Sequence, residues 1–203
     1  MSSILDLLNS QLGAGGVEAI SRQLGIDPQT AQQAISGAIP ILTGALAQHA
    51  STPDGAASLS HALQQHDGSI LDQATQYINQ GDTSSGDGIL NHILGGNRNN
   101  AAGGLAQATG LDAGTAGKLL MMLAPLVLGA IGRAHNQQGQ DPGVLGGLLN
   151  SMHQDAQSAA PSGILGVLEG MLGGNQGGQG GSLADEVTRI GGGLLGGLLG
   201  GDR

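Results

Sequence analysis

Residues 25–45 read GIDPQTAQQAISGAIPILTGA, and residues 110–130 read GLDAGTAGKLLMMLAPLVLGA. Displacing the chain by 85 residues lays Ile4-Leu5 on Ile89-Leu90, Gly25 on Gly110, Asp27 on Asp112 and Thr30-Ala31 on Thr115-Ala116. The same shift lays Pro40 on Pro125 and Gly44-Ala45 on Gly129-Ala130, with no gap from Ile4 to Leu46. Leu59 and Leu63 then pair with Leu145 and Leu149 after a one-residue change in the loop. A fixed period carrying matched turn signals marks a duplicated structural unit. Whatever this chain folds into, it must build twice.

Within each copy the apolar spacing is helical. SSILDLLNSQL sets Ile4, Leu5, Leu8 and Leu12 on one face, and VEAISRQLG does the same with Val17, Ile20 and Leu24. Gly25 then stops the helix as a C′ glycine. Asp27 is an N-cap with Pro28 at the first helical position, and Asp112 follows Gly110 in the same way. The third helix runs through Ala31, Ala34, Ile35, Ala38, Ile39, Leu42, Ala45 and Leu46. Pro40 and Pro125 fall deep inside these third helices, where a missing N–H and a clash with the preceding turn predict a kink or a break. Such a kink lets a long apolar helix wrap its neighbours; the freed carbonyl is alternatively a ligand contact. A further helix follows in each copy, GAASLSHALQQH and PGVLGGLLNSMHQ. No β-branched run alternates strictly, so the chain reads as all-α.

The material of the core is unusual. Phe and Trp are absent and Tyr77 is the single aromatic, leaving Leu, Ile, Val, Met and Ala to fill the interior. Glycine supplies 40 of 203 residues, and each one in a helix interior costs roughly 0.5–1 kcal/mol relative to alanine. That excess must lie in loops or serve close packing, and the expectation is modest stability. Cysteine is absent, which excludes disulfides and thiolate metal sites. Fifteen carboxylates stand against Arg22, Arg98, Lys118, Arg133, Arg189 and Arg203. Six scattered cations at a net charge of −9 do not supply the phosphate contacts of a nucleic-acid binder.

The N-terminus lacks the basic start and cleavage site of a secretory signal. The longest apolar run, LLMMLAPLVLGAI, has 13 residues against the roughly 20 of a membrane span. The expectation is a buried helix in a cytoplasmic protein.

After Pro161 the character changes. SGILGVLEGMLGG and GGGLLGGLLGG are Leu/Gly-rich segments joined by a glycine linker. GILGVLEGMLGG echoes GILNHILGGN at 88–97, the opening of the second copy. Glycine ridges permit close helix contact, and low helix propensity makes order dependent on a partner. Ile164, Leu165, Leu168, Met171, Leu172, Leu194, Leu195, Leu198 and Leu199 are the candidate interaction residues. The expected organisation is a first helical repeat at 1–80, a linker at 81–88, a second repeat at 89–160 and a tail at 161–203.

The sequence carries no recognisable site of chemistry. His61 and His66, five apart in HALQQHD, share a helical face poorly, and no HExxH follows. DTSSGDG lacks the alternating acids and distal Glu of a calcium loop. Glu169, Asp185 and Glu186 read as solvating groups. There is no GxSxG elbow, no GxxxxGK[ST] phosphate loop, and no strand before any glycine run. No catalytic, metal or cofactor residue is assigned, and the chain reads as a non-enzyme.

ISRQLGIDPQTAQQAIS has the rhythm of a helix-turn-helix. Its second helix offers Gln29, Gln32 and Gln33 and then becomes wholly apolar, while the second copy offers only Lys118. That shape is read as a packing device rather than a DNA reader. The duplicated Gly-[Ile/Leu]-Asp-x-x-Thr-Ala pattern with its later Pro-x-x-x-Gly-Ala resembles the bacterial domain-of-unknown-function 937 family, related to YidB-like proteins. The resemblance spans roughly residues 1–155 as a tandem. It implies a small helical bacterial protein with helix-turn-helix-like cores, and it carries over no activity or catalytic residue. Composition and tail favour a non-enzymatic interaction or assembly protein that binds protein partners or itself. A peripheral membrane protein using the tail segments is the alternative, and DNA binding comes third.

Overall fold

The computed structural model describes residues 4–66 and 68–137, together with Gly147, Ser151 and Gln154. Its elements are α1 (Ile4–Leu24), α2 (Pro28–His49), α3 (Pro53–Gln65), α4 (Ser69–Asp72) and α5 (Ala74–Gln80). They continue with α6 (Ser84–Leu94), a 3₁₀ turn (Gly95–Asn97), α7 (Arg98–Thr109) and α8 (Ala113–Gln137). No strand occurs among the described residues, and the fold is all-α. PGVLGGLLNSMHQ and all nine tail residues named above lie outside the described residues, Gly147, Ser151 and Gln154 excepted as single helical positions.

The local structure repeats with the sequence. α1 is two helical stretches joined at Gly13, whose φ of 47° and ψ of −164° only glycine adopts without strain. In the second copy Gly95, at φ 49°, separates α6 from the turn that leads into α7. Gly25 and Gly110 both occupy the left-handed region, at φ 68° and 74°. Asp27 Oδ1 then accepts from the Thr30 amide at 3.0 Å, and Asp112 Oδ1 accepts from the Thr115 amide at the same distance. These bonds satisfy an amide that the first helical turn leaves without a partner. They also hold both carboxyls below their usual range, with the Thr30 and Thr115 contacts as the leading cause.

The prolines behave otherwise than expected in one respect. Neither breaks its helix, for α2 runs from Pro28 to His49 through Pro40 and α8 from Ala113 to Gln137 through Pro125. The reason lies in what surrounds them. Every residue from 37 to 46 is buried, and so is every residue from 122 to 132, the matching stretch of the second copy. Burial on all sides outweighs one missing hydrogen bond. In α8 the Met121 carbonyl, which loses its amide donor to Pro125, is approached by Gly86 of α6. A Cβ on Gly86 would lie 1.7 Å from that oxygen, so an α-hydrogen points at it instead.

Packing follows the same exchange of copies. α2 and α8 pack on each other at the centre; α1 packs on both, and so does α7. The pairs α1–α2 and α7–α8 correspond, as do α1–α8 and α7–α2. One continuous core results, drawn from both copies and built of Leu, Ile, Ala, Val and Met. α3, α4 and α5 close its flank against α8 and α1. All described residues belong to one compact unit. The segment expected as a linker at 81–88 is therefore short: α6 already begins at Ser84, because its buried Gly86 must seat on α8.

α8 is the one helix among the described residues that is long and apolar enough to cross a membrane by length and composition, at a mean hydropathy of 1.6. Within the fold 72% of its most apolar 18-residue window is buried. A helix apolar all round is one that other helices enclose.

Candidate functional site

The two copies differ along one face. In the first copy, α1 and the front half of α2 enclose an open groove of about 630 Å³. Leu12, Val17 and Ile35 form its apolar floor, and Glu18, Gln29, Gln32 and Ser36 its polar rim. Gly13 and Ala14, at the break in α1, line the mouth, which no described side chain crosses. Ser36 ends the groove, and its carbonyl is the one that Pro40 deprives of a donor.

The corresponding face of the second copy is bridged. Arg98 stands at the position of Gly13, and Met121 at that of Ser36. The Arg98 guanidinium donates to Met121 Sδ at 3.1 Å and pairs with the Asp87 carboxylate. One side chain thus ties α6, α7 and α8 together across the face that the first copy leaves open. The rim also changes: Glu18, Gln29 and Gln32 are matched by Gly103, Gly114 and Gly117. The position matching Asp87 is Ser2, outside the described residues.

A second concavity lies where the copies meet. Leu46, Leu59, Ala62, Ile89, Ile93 and Leu128 line a small apolar cavity of about 190 Å³. At its rim His49, at the end of α2, stacks at a tilt on His92 of α6 with ring centroids 4.8 Å apart. Ser58 Oγ of α3 lies 3.1 Å from His49 Nε2 and 3.0 Å from His92 Nε2. Partial burial holds the His49 imidazole below its ordinary value, and the neighbouring His92 charge adds to the effect.

The residues singled out from sequence fall into three groups. Gly25, Asp27, Gly110 and Asp112 form the paired turns at the feet of α2 and α8, while Pro40 and Pro125 sit in their buried centres. His61 and His66 do not share a site: His66 lines the small apolar concavity with His49 and His92, whereas His61 does not, and no three His, Asp or Glu among the described residues are placed to hold a metal ion. The tail residues lie outside the described residues. His49, Ser58 and His92 were missed: their juxtaposition needs the docking of α6 on α2 and α3, which neither copy states alone. The bridge over the second groove was visible in the aligned copies, as Gly13 against Arg98 and Ser36 against Met121.

A duplicated helical scaffold with one face open in the first copy and bridged in the second is the class that fold and site define. The chain belongs to the family described as bacterial protein of unknown function (DUF937), which matches residues 6–134 in one stretch across both copies. Comparison with curated proteins and with solved structures returned no match.

Proposed function

We propose that this chain is a non-enzymatic assembly protein whose first-copy groove receives an apolar helical segment, and that the Leu/Gly tail of a second copy is the donor. The observation that carries the reading is the open groove over Leu12, Val17 and Ile35 beside its bridged counterpart. A groove with an apolar floor and polar rim is how an amphipathic segment is taken up. Leu194, Leu195, Leu198 and Leu199 repeat at the spacing that puts leucines on one side of a helix, with glycines between to let backbones approach. Donor and acceptor are different surfaces, so the contact is head-to-tail and makes rings or open chains.

The cations speak against a nucleic-acid partner. Arg98 is committed to Asp87 and Met121, and Arg133 donates to Asp72 and to the Gly68 carbonyl.

The test is direct binding. A labelled peptide of residues 161–203 is titrated with the chain ending at Ala160 and with its Ala14→Arg variant, whose exposed new side chain obstructs the groove mouth. Saturable binding that Ala14→Arg abolishes supports the reading. Absence of binding, with the full chain pelleting on lipid vesicles, favours the tail as a membrane element.

A further inference from the structure

We propose that the tail of a second copy enters the first-copy groove in one register, as a helix with Gly191 seated on the Ser36 carbonyl and Leu195 and Leu199 on the groove floor. This deepens the groove-and-tail reading above and rests on it. The argument begins with how the fold docks two of its own helices. Gly55 is the third residue of α3, and a Cβ there would lie 1.8 Å from the His49 carbonyl oxygen. Gly86 is the third residue of α6 and stands in the same way over the Met121 oxygen, at 1.7 Å. In each helix the leucines four and eight residues on are buried: Leu59 and Leu63 in α3, Leu90 and Leu94 in α6. Only a residue without a side chain comes so near a carbonyl, so a glycine sets the register of each helix and two leucines on the same face anchor it.

The acceptors share a feature as well. His49 lies four residues before Pro53 and Met121 four before Pro125, so neither carbonyl can receive the amide that an uninterrupted helix would supply. A glycine α-hydrogen approaches each instead. Ser36, four residues before Pro40, is another such carbonyl, and it ends the open groove. Leu24, four before Pro28, does not line that groove. The first copy has no glycine of its own for Ser36, because the position matching Gly86 is Met1. The spacing Gly-x-x-x-Leu-x-x-x-Leu occurs three times in the 203 residues, at Gly55, at Gly86 and at Gly191, where Leu195 and Leu199 follow. Residues 191–199 lie outside the described residues. Two of the three glycines meet their carbonyls within the fold; the third is left for the carbonyl at the end of the groove.

The register is tested on the full chain. Alanine favours a helix at Gly191 and Gly193 alike, but residue 193 falls about 200° round the helix, on its far side. Light scattering across a concentration series should show assembly weakened about tenfold or more by Gly191→Ala and not weakened by Gly193→Ala. The chain has no cysteine, so engineered pairs report proximity cleanly. A chain carrying Ser36→Cys, an exposed position, is mixed under mild oxidation with one carrying Gly192→Cys, and a disulfide should link them. Neither variant alone should cross-link, nor should a Gly200→Cys partner, about 12 Å further along the helix. A parent that stays monomeric, or an Ala14→Arg chain that still assembles, overturns the groove-and-tail reading and the register together. Where the parent assembles and Ala14→Arg does not, the register alone is overturned if Gly191→Ala assembles as the parent does, or if Gly200→Cys cross-links as readily as Gly192→Cys.

Discussion

Alanine at Gly86 should destabilise this protein, although alanine is the better helix former. In α6 a Cβ at residue 86 would lie 1.7 Å from the Met121 oxygen, 2.5 Å from its carbonyl carbon and 2.9 Å from its Cα. All three atoms are backbone of the most enclosed helix in the fold, so no side chain can swing aside. α6 must back away, and Leu90 and Leu94, both buried, lose their seats with it. Overpacking of this kind costs about 1–3 kcal/mol, against at most about 1 kcal/mol gained in helix propensity. The net loss is about 1–2 kcal/mol. For a chain of this length that is a fall in melting temperature of about 2–8 °C. Gly103 is the control, being helical in α7 with no atom within 4 Å of its Cβ position. Gly103→Ala should raise the melting temperature by about 2–3 °C. Thermal melts followed by circular dichroism at 222 nm report both without tryptophan. The reasoning is refuted if Gly86→Ala melts at or above the parent, or if the two variants shift in the same direction.

Other consequences are as definite. Asp27→Ala and Asp112→Ala should each lower the melting temperature while the asparagine variants retain most of it, because asparagine caps almost as well. Both carboxyls are depressed in the folded chain, so their contribution is present above pH 3.8 and disappears as pH falls through the folded-state value; the alanine deficits should shrink accordingly in melts from pH 5 to pH 2.5. His49 is depressed below 6.5 by desolvation and then by His92, so the unfolded chain binds that proton more tightly. Stability should therefore fall as pH drops below 6.5, and His92→Ala should flatten the slope in melts at pH 7.5, 6.5 and 5.5. The Tyr77 hydroxyl is buried with no hydrogen-bond partner among the described residues. Tyr77→Phe removes an unsatisfied group and should gain about 1 kcal/mol in urea unfolding.

What could be read from sequence was local. Gly25, Asp27 and Thr30 announce a turn and a cap through their own chemistry, and a second copy at Gly110, Asp112 and Thr115 removes the chance of coincidence. The shortness of the linker could not be read, because DTSSGDG is turn-like by composition and only the seat of Gly86 on α8 makes its end helical. Nor could the unbroken course of α2 and α8. A proline's cost is local and legible, whereas the burial that outweighs it belongs to α1, α6 and α7 packing around it. The histidine cluster shows the same limit more sharply: His49 and His92 are unremarkable singly and meet only because the copies share one core. The groove stands between these cases. Its floor follows from helical spacing, and its openness follows from Gly13 standing where the other copy has Arg98.

The central claim is that the groove of one molecule receives the tail of another, and solution mass tests it most directly. Light scattering coupled to size exclusion, across a range of concentrations, compares the full chain with full-length Ala14→Arg and with the chain ending at Ala160. Both alterations should return a monomer of the expected mass while the parent forms larger, concentration-dependent species. A parent that stays monomeric at every concentration, or an Ala14→Arg chain that assembles as the parent does, contradicts the account.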